Sequence, residues 1–222
     1  MTGTITSVLL LSGGVAISPL PILAVIGLLL SKQSRATSLP FAGGWLGGIV
    51  LVVVVGMGSG LASRRIGPEA LHGAAAVVGV SLGSVAILAG ALIWFRRPVD
   101  ATAGQRDWLG TLDALSPSRA LAVGGVLSAV NPKNLLASGT AGLILGWSSL
   151  TGSAIAVAGG AFCLLAGSTV VIPVVVHSVG GGPGEASLVR LREWLVPRQA
   201  AVLSVLLVGI GLILAVRGGF GI

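Results

Sequence analysis

Two proline breaks inside apolar stretches constrain this chain more than any other feature. Ser18-Pro19-Leu20-Pro21 interrupts the first stretch and Asn131-Pro132-Lys133-Asn134 the fourth, and the second break carries a lysine. Proline lacks a backbone donor and its ring disrupts the preceding turn, so each break frees carbonyls that a helix would have used. In hydrocarbon those carbonyls have no water to turn to. Irregular backbone survives there only when it is buried in protein or lines a wet cavity. The fold must therefore supply partners to both breaks.

Composition places the breaks in a membrane. Of the 222 residues 54% are hydrophobic and 9% charged, against about a quarter charged in a soluble domain. Crossing the hydrocarbon core takes a run of about 20 apolar residues, and six such runs are read at 5–30, 39–62, 71–95, 120–146, 152–176 and 200–216. The 36 glycines suit helices that approach closely, because packing in lipid relies on small residues rather than on exclusion of water. The predicted fold class is an all-α integral membrane protein of six transmembrane helices, with residues 1–222 as a single transmembrane domain. The amino-terminal residues lack the basic region of a cleaved signal, so the first span is expected to stay in place. Only residues 147–151 separate the fourth and fifth runs, which predicts a tight antiparallel pair.

The net charge of +7 sits in short loops between apolar runs rather than on one face, which argues against a nucleic-acid partner. Lys32, Arg35, Arg96, Arg97, Arg106, Arg119, Arg190, Arg192 and Arg198 fall on one side; Arg64, Arg65 and Arg217 fall on the other. The excess of Lys and Arg marks the first side as cytoplasmic. The expectation is a multi-pass protein of the cytoplasmic membrane with both termini outside. Trp108, Leu109, Leu112 and Leu115 share one helical face, as do Leu188, Leu191, Trp194 and Leu195. Both segments are predicted to be short amphipathic helices, either in the headgroup layer or packed on the bundle. Trp94 and Trp147 fall at predicted helix ends, where interfacial tryptophans are common.

The two halves match weakly but in order. Ser18-Pro19 corresponds to Asn131-Pro132, Ala42-Gly43-Gly44 to Ala158-Gly159-Gly160, and Gly90 with Arg96 to Gly211 with Arg217. This gives repeat 1 at about 1–97, a cytoplasmic loop at about 98–118 and repeat 2 at about 119–222. A repeat of three spans reverses direction in the membrane, so the halves form an inverted pair, a design that puts binding sites where broken helices meet near the midplane. From residue 5 to Pro19, and from residue 120 to Lys133, the helical rise is about 20 Å. The breaks lie deep, entered from opposite sides.

Lys133 carries the chemistry. A cation near the bilayer centre costs about 3 kcal/mol on insertion scales. All six acidic residues, Glu69, Asp100, Asp107, Asp113, Glu185 and Glu193, lie in loops. Lys133 is therefore neutral, or has backbone carbonyls, water or an anionic ligand as its partner, unless its long stem snorkels to an interface. Ser18, Asn131 and Asn134 are placed to replace hydrogen bonds lost at Pro19, Pro21 and Pro132, and a half-helix beginning near Asn134 would point its positive end at an anion. The substrate-binding candidates are Lys133, Asn131, Asn134 and Ser18, with Pro19, Pro21 and Pro132 as the helix breaks. The lone Cys163 precludes an intramolecular disulfide or a cysteine cluster. His72 and His177, distant and near helix ends, make a poor metal site. No cofactor, metal or enzymatic activity is expected. Gly79 with Gly83, and Gly142 with Gly146, are small-residue pairs expected to set helix packing or a homodimer face.

Ser18-Pro19-Leu20-Pro21, Gly44-Trp45-Leu46-Gly47 and Asn131-Pro132-Lys133-Asn134 resemble the lysine-exporter (LysE) superfamily, and within it the peptidoglycolipid-addressing (GAP) or sulfolipid-addressing family of actinobacteria. The resemblance covers essentially the whole chain. It implies a six-helix inverted repeat and a role in exporting amino acids, ions or envelope glycolipids. Related thiol-electron carriers use a cysteine in the first and fourth spans; neither break here has one, so that activity is not expected. The expected function is translocation of an envelope glycolipid or other anionic amphiphile, with membrane lipids and an anionic headgroup as partners. The alternatives are an exporter of a small solute and a non-transporting scaffold for envelope-biosynthesis enzymes.

Overall fold

The structure, a computed structural model, describes residues 2–31, 33–63, 84, 87–88, 91–92, 94–95, 115–180 and 185–220. Every regular element among them is helical: α1 (Thr2–Ala16), α2 (Pro19–Leu29), α3 (Ser34–Ser63), α4 (Pro117–Ala129), α5 (Pro132–Trp147), α6 (Gly152–Gly180), α7 (Glu185–Leu195) and α8 (Gln199–Phe220), with a 3-10 turn (Val196–Arg198) before the last. Most of the span read at 71–95 lies outside the described residues. So do Arg64, Arg65, His72, Gly79, Gly83, Trp108, Leu109 and Leu112.

Helices α3 and α6 are each long and apolar enough to cross a membrane, and the pair α1–α2, bent by 55° at its break, adds a third crossing if taken as one span. The chain is thus a helical membrane protein. The start of α2, α4 and α5 follows one local rule: Ser18, Ser116 and Asn131 stand in extended backbone at the N-cap, and the next residue is proline. Proline suits the first helical position because its missing N–H would have been unpaired there anyway. The half-helix expected near Asn134 therefore begins two residues earlier, at Pro132, capped by the Asn131 side chain. Helix α3 likewise begins before its apolar run, at Ser34, where the Thr37 hydroxyl donates back to the Gln33 carbonyl at 3.0 Å.

Helix α3 is the hub. It packs against α4, α5 and α6, while α1 packs against α5 and α6. Its contacts with α4 and α5 are backbone-close. A methyl group at Gly44 would strike the Leu121 carbonyl, one at Gly56 the Gly139 carbonyl, and one at Gly146 the Met57 carbonyl. Gly142 faces the Val53 carbonyl in the same way. The pair Gly142 and Gly146 is therefore consumed inside the chain, as helix packing rather than as a dimer face. These pairs advance together along both partners, so α3 runs parallel to the α4–α5 pair. This use of α5's small-residue face also explains a departure from expectation. Helices α5 and α6, joined by residues 148–151, make only slight contact, and α6 packs on α1 and α3 instead.

Helix α6 presents Ala158, Phe162, Ala166, Val170 and Val174 to the interior at a spacing of one turn, and leaves Leu164, Leu165, Ile172 and Val176 exposed. One buried stripe with apolar residues all round is the pattern of a helix whose remaining faces meet lipid. Helix α7 splits its apolar face. Leu188 and Leu195 turn to the bundle, whereas Leu191 and Trp194 stay exposed, Trp194 beneath the Arg198 guanidinium at 5.2 Å. His177 and Ser34 meet at 3.3 Å where the end of α6 passes the start of α3.

Candidate functional site

The two breaks meet. Lys133, only 1% exposed, extends its ammonium across to the first break and donates to the carbonyls of Gly14 and Ile17, the latter at 2.7 Å. From the same turn of α5, Asn134 accepts the Ser18 hydroxyl on Oδ1 at 3.4 Å. Residues more than a hundred positions apart thus form one buried polar cluster.

The reason is visible in the backbone accounting of the first break. In an unbroken helix the carbonyls of Val15 and Ile17 would take the amides of residues 19 and 21, and both of these are proline. The Ser18 amide turns to the Ala16 carbonyl at 2.9 Å and so abandons Gly14. Gly13 keeps its partner, the Ile17 amide at 3.1 Å, and Ser18 passes its carbonyl to Ile22 at 3.3 Å. Lys133 serves two of the carbonyls left over, those of Gly14 and Ile17. Thr169 of α6 adds a further donor, its hydroxyl reaching the Ala16 carbonyl at 2.8 Å. The first proline motif creates a demand for donors at the end of α1, and the second motif supplies a cation to meet it. That cation also lies against the negative end of the α1 dipole.

At the second break Asn131 does local work. Its Oδ1 accepts the Lys133 amide at 3.1 Å, and its carbonyl accepts the Leu135 amide at 2.8 Å. Pro19 and Pro21 are buried, whereas Pro132 is exposed. The predicted site residues therefore divide. Lys133, Asn134 and Ser18 converge; Asn131 orients the turn that carries them; the prolines make the space. Sequence reasoning missed Thr169, a polar residue in an apolar run, and Ser138. The latter was legible, since it follows Asn134 by four positions and shares its helix face.

Among the described residues four buried side-chain atoms have no protein partner: Asn134 Nδ2 and Ser138 Oγ on α5, and Ser38 Oγ and Trp45 Nε1 on α3. All four are able to donate. Two apolar grooves open on the surface. One, of about 460 Å³, runs between α3 and α4 from Gly43 and Gly47 to Ala129 and Val130; the other, of about 500 Å³, lies between Trp94, Phe95 and α8. Lys133 lines neither. The first ends at the residue preceding Asn131, beside the second break.

A helical bundle with exposed apolar surfaces, two broken helices and a buried cation at their meeting point defines a helical membrane protein with a buried polar cluster. Residues 8–219 match the model of the family described as Sap, sulfolipid-1-addressing protein, and the chain belongs to that family. No curated protein and no solved structure matches the chain. Membership brings a lipid-addressing role in the envelope, and it bears out the sulfolipid-addressing branch of the resemblance drawn from the breaks.

Proposed function

We propose that the protein translocates an anionic envelope lipid across, or out of, the cytoplasmic membrane, and that Lys133 is the group its headgroup engages. The buried ammonium held by two carbonyls carries this reading. Carbonyl dipoles stabilise the cation without neutralising it, so an oxyanion entering the cluster supplies what the chain lacks there. Ser18 and Asn134 lie beside that position on the two breaks, and the headgroup takes Lys133 from the α1 carbonyls while they rebond to Ser18 or to water.

The groove between α3 and α4 favours a lipid over a small solute. It is apolar, opens on the surface and stops beside the second break, so an acyl chain lying in it brings its headgroup to the polar cluster. The six-span inverted repeat, with both termini outside, is the architecture that goes with this reading, as does kinship with the lysine-exporter superfamily. The parallel course of α3 and the α4–α5 pair supports it, because such a course calls for one return crossing between them, where the sequence offers residues 71–95. The protein is a transporter rather than an enzyme in this scheme.

The test is reconstitution of the full chain in proteoliposomes carrying a labelled anionic glycolipid. Wild type is expected to move the label to the opposite leaflet faster than protein-free vesicles, and Lys133→Met to lose that acceleration. Equal movement by both proteins would overturn the role of Lys133. Uptake of labelled amino acids without lipid movement would make the substrate a solute.

A further inference from the structure

We propose that Asn134 Nδ2 and Ser138 Oγ form a donor pair that binds an oxyanion of the headgroup, with Ser138 as the residue that selects a charged headgroup over a neutral one. The inference rests on the lipid-translocation reading above and adds a ligand contact one turn further along α5.

Ser138, like Ser38 on α3, departs from the behaviour of the other serines. A serine in a membrane helix ordinarily turns its hydroxyl back onto a carbonyl three or four residues earlier. Ser12, Ser59, Ser128, Ser168 and Ser178 all do so. Ser138 does not, although it is 1% exposed and has helix carbonyls behind it. Asn134 is 0% exposed; its carbonyl oxygen is occupied by Ser18, while its amide nitrogen has no protein partner. Residues four apart on a helix hold their Cβ atoms about 5–6 Å from each other, a span that one tetrahedral or planar oxyanion bridges.

The chemistry of the cluster fixes the ligand class. Lys133, Asn134 and Ser138 offer an ammonium, an amide N–H and a hydroxyl, and no acidic side chain lies among the described residues of α1 or α5. A ligand that satisfies donors brings acceptors, and one that complements a cation brings negative charge. Sulfate, phosphate and carboxylate groups meet both conditions. A neutral sugar hydroxyl meets only the first.

Equilibrium binding to the full chain in nanodiscs tests the proposal with three probes: a sulfated galactosylceramide, the same lipid without sulfate, and inorganic sulfate. Ser138→Ala is expected to weaken binding of the sulfated lipid about tenfold or more, the loss of one hydrogen bond to a charged acceptor. Affinity for the unsulfated lipid should stay unchanged, and Ser138→Thr, which keeps the hydroxyl, should retain the preference for sulfate. Competition by millimolar inorganic sulfate in wild type but not in Ser138→Ala would support an oxyanion site reached from solution as well as from the bilayer. A Ser138→Ala protein that binds the sulfated lipid as tightly as wild type overturns the proposal, whatever its melting temperature, and leaves lipid translocation standing. A wild-type protein that neither binds nor moves the sulfated lipid overturns both.

Discussion

Replacing Lys133 by Met tests whether this lysine serves stability or function. Met has a similar length, no charge and no donor, so the substitution removes two opposed terms. Relief from burying a cation is worth about 3 kcal/mol on insertion scales. Against it, the Gly14 and Ile17 carbonyls lose their donor, and a buried acceptor left unpaired costs about 1–3 kcal/mol, so two cost about 2–6 kcal/mol. The balance runs from a gain of about 1 to a loss of about 3 kcal/mol. At about 2–4 °C per kcal/mol for a chain of this size, the melting temperature in detergent or nanodiscs should fall by no more than roughly 12 °C. The protein is thus expected to fold, insert and lose lipid translocation. Thermal unfolding of Lys133→Met beside wild type, followed by a translocation assay on the same preparations, provides the comparison. A variant that no longer folds would refute the reasoning, since Lys133 would then be a structural staple whose carbonyl bonds far outweigh its burial.

Smaller perturbations probe the frame around the site. A methyl group at Gly124 would collide with the Phe41 carbonyl, whereas one at Gly43 has open space; Gly124→Ala should destabilise by about 1–3 kcal/mol as an overpacked contact does, and Gly43→Ala should leave the melting temperature near that of wild type. Asn131→Ala removes the cap on the Lys133 amide and should cost about 1 kcal/mol, with Asn131→Ser recovering most of it. Thr169→Val deletes one of two donors to the Ala16 carbonyl, which keeps the Ser18 amide, and should cost about 0.5–1.5 kcal/mol; Thr169→Ser, which keeps the hydroxyl, should cost less, and urea or thermal unfolding would register the difference.

Much of this architecture is legible residue by residue. Pro19 and Pro132 end one helix and begin the next wherever they stand, because a missing N–H and a fixed φ act within a single turn. Ser18 and Asn131 before proline announce helix starts for the same reason. The need of the breaks for donors also follows from sequence, since it counts amides that proline cannot provide. The boundaries of α3 and the slight contact between α5 and α6 were not legible. The first lies in a polar stretch ahead of the apolar run, where Thr37 bonds back to the Gln33 carbonyl; the second depends on the small-residue face that α5 gives to α3.

By itself, then, the sequence determined that this chain is helical, that it belongs in a membrane, and that two breaks and one cation had to be reconciled inside it. Tertiary structure decided how. Which carbonyls Lys133 reaches, and that Thr169 joins them, depend on α1 packing against both α5 and α6. Beside it, close backbone contact at Gly44, Gly56, Gly142 and Gly146 fixes α3 against α4 and α5. Local rules of proline and capping act over a few residues, whereas the packing of small faces acts between segments more than a hundred residues apart, and no local pattern states which faces will meet.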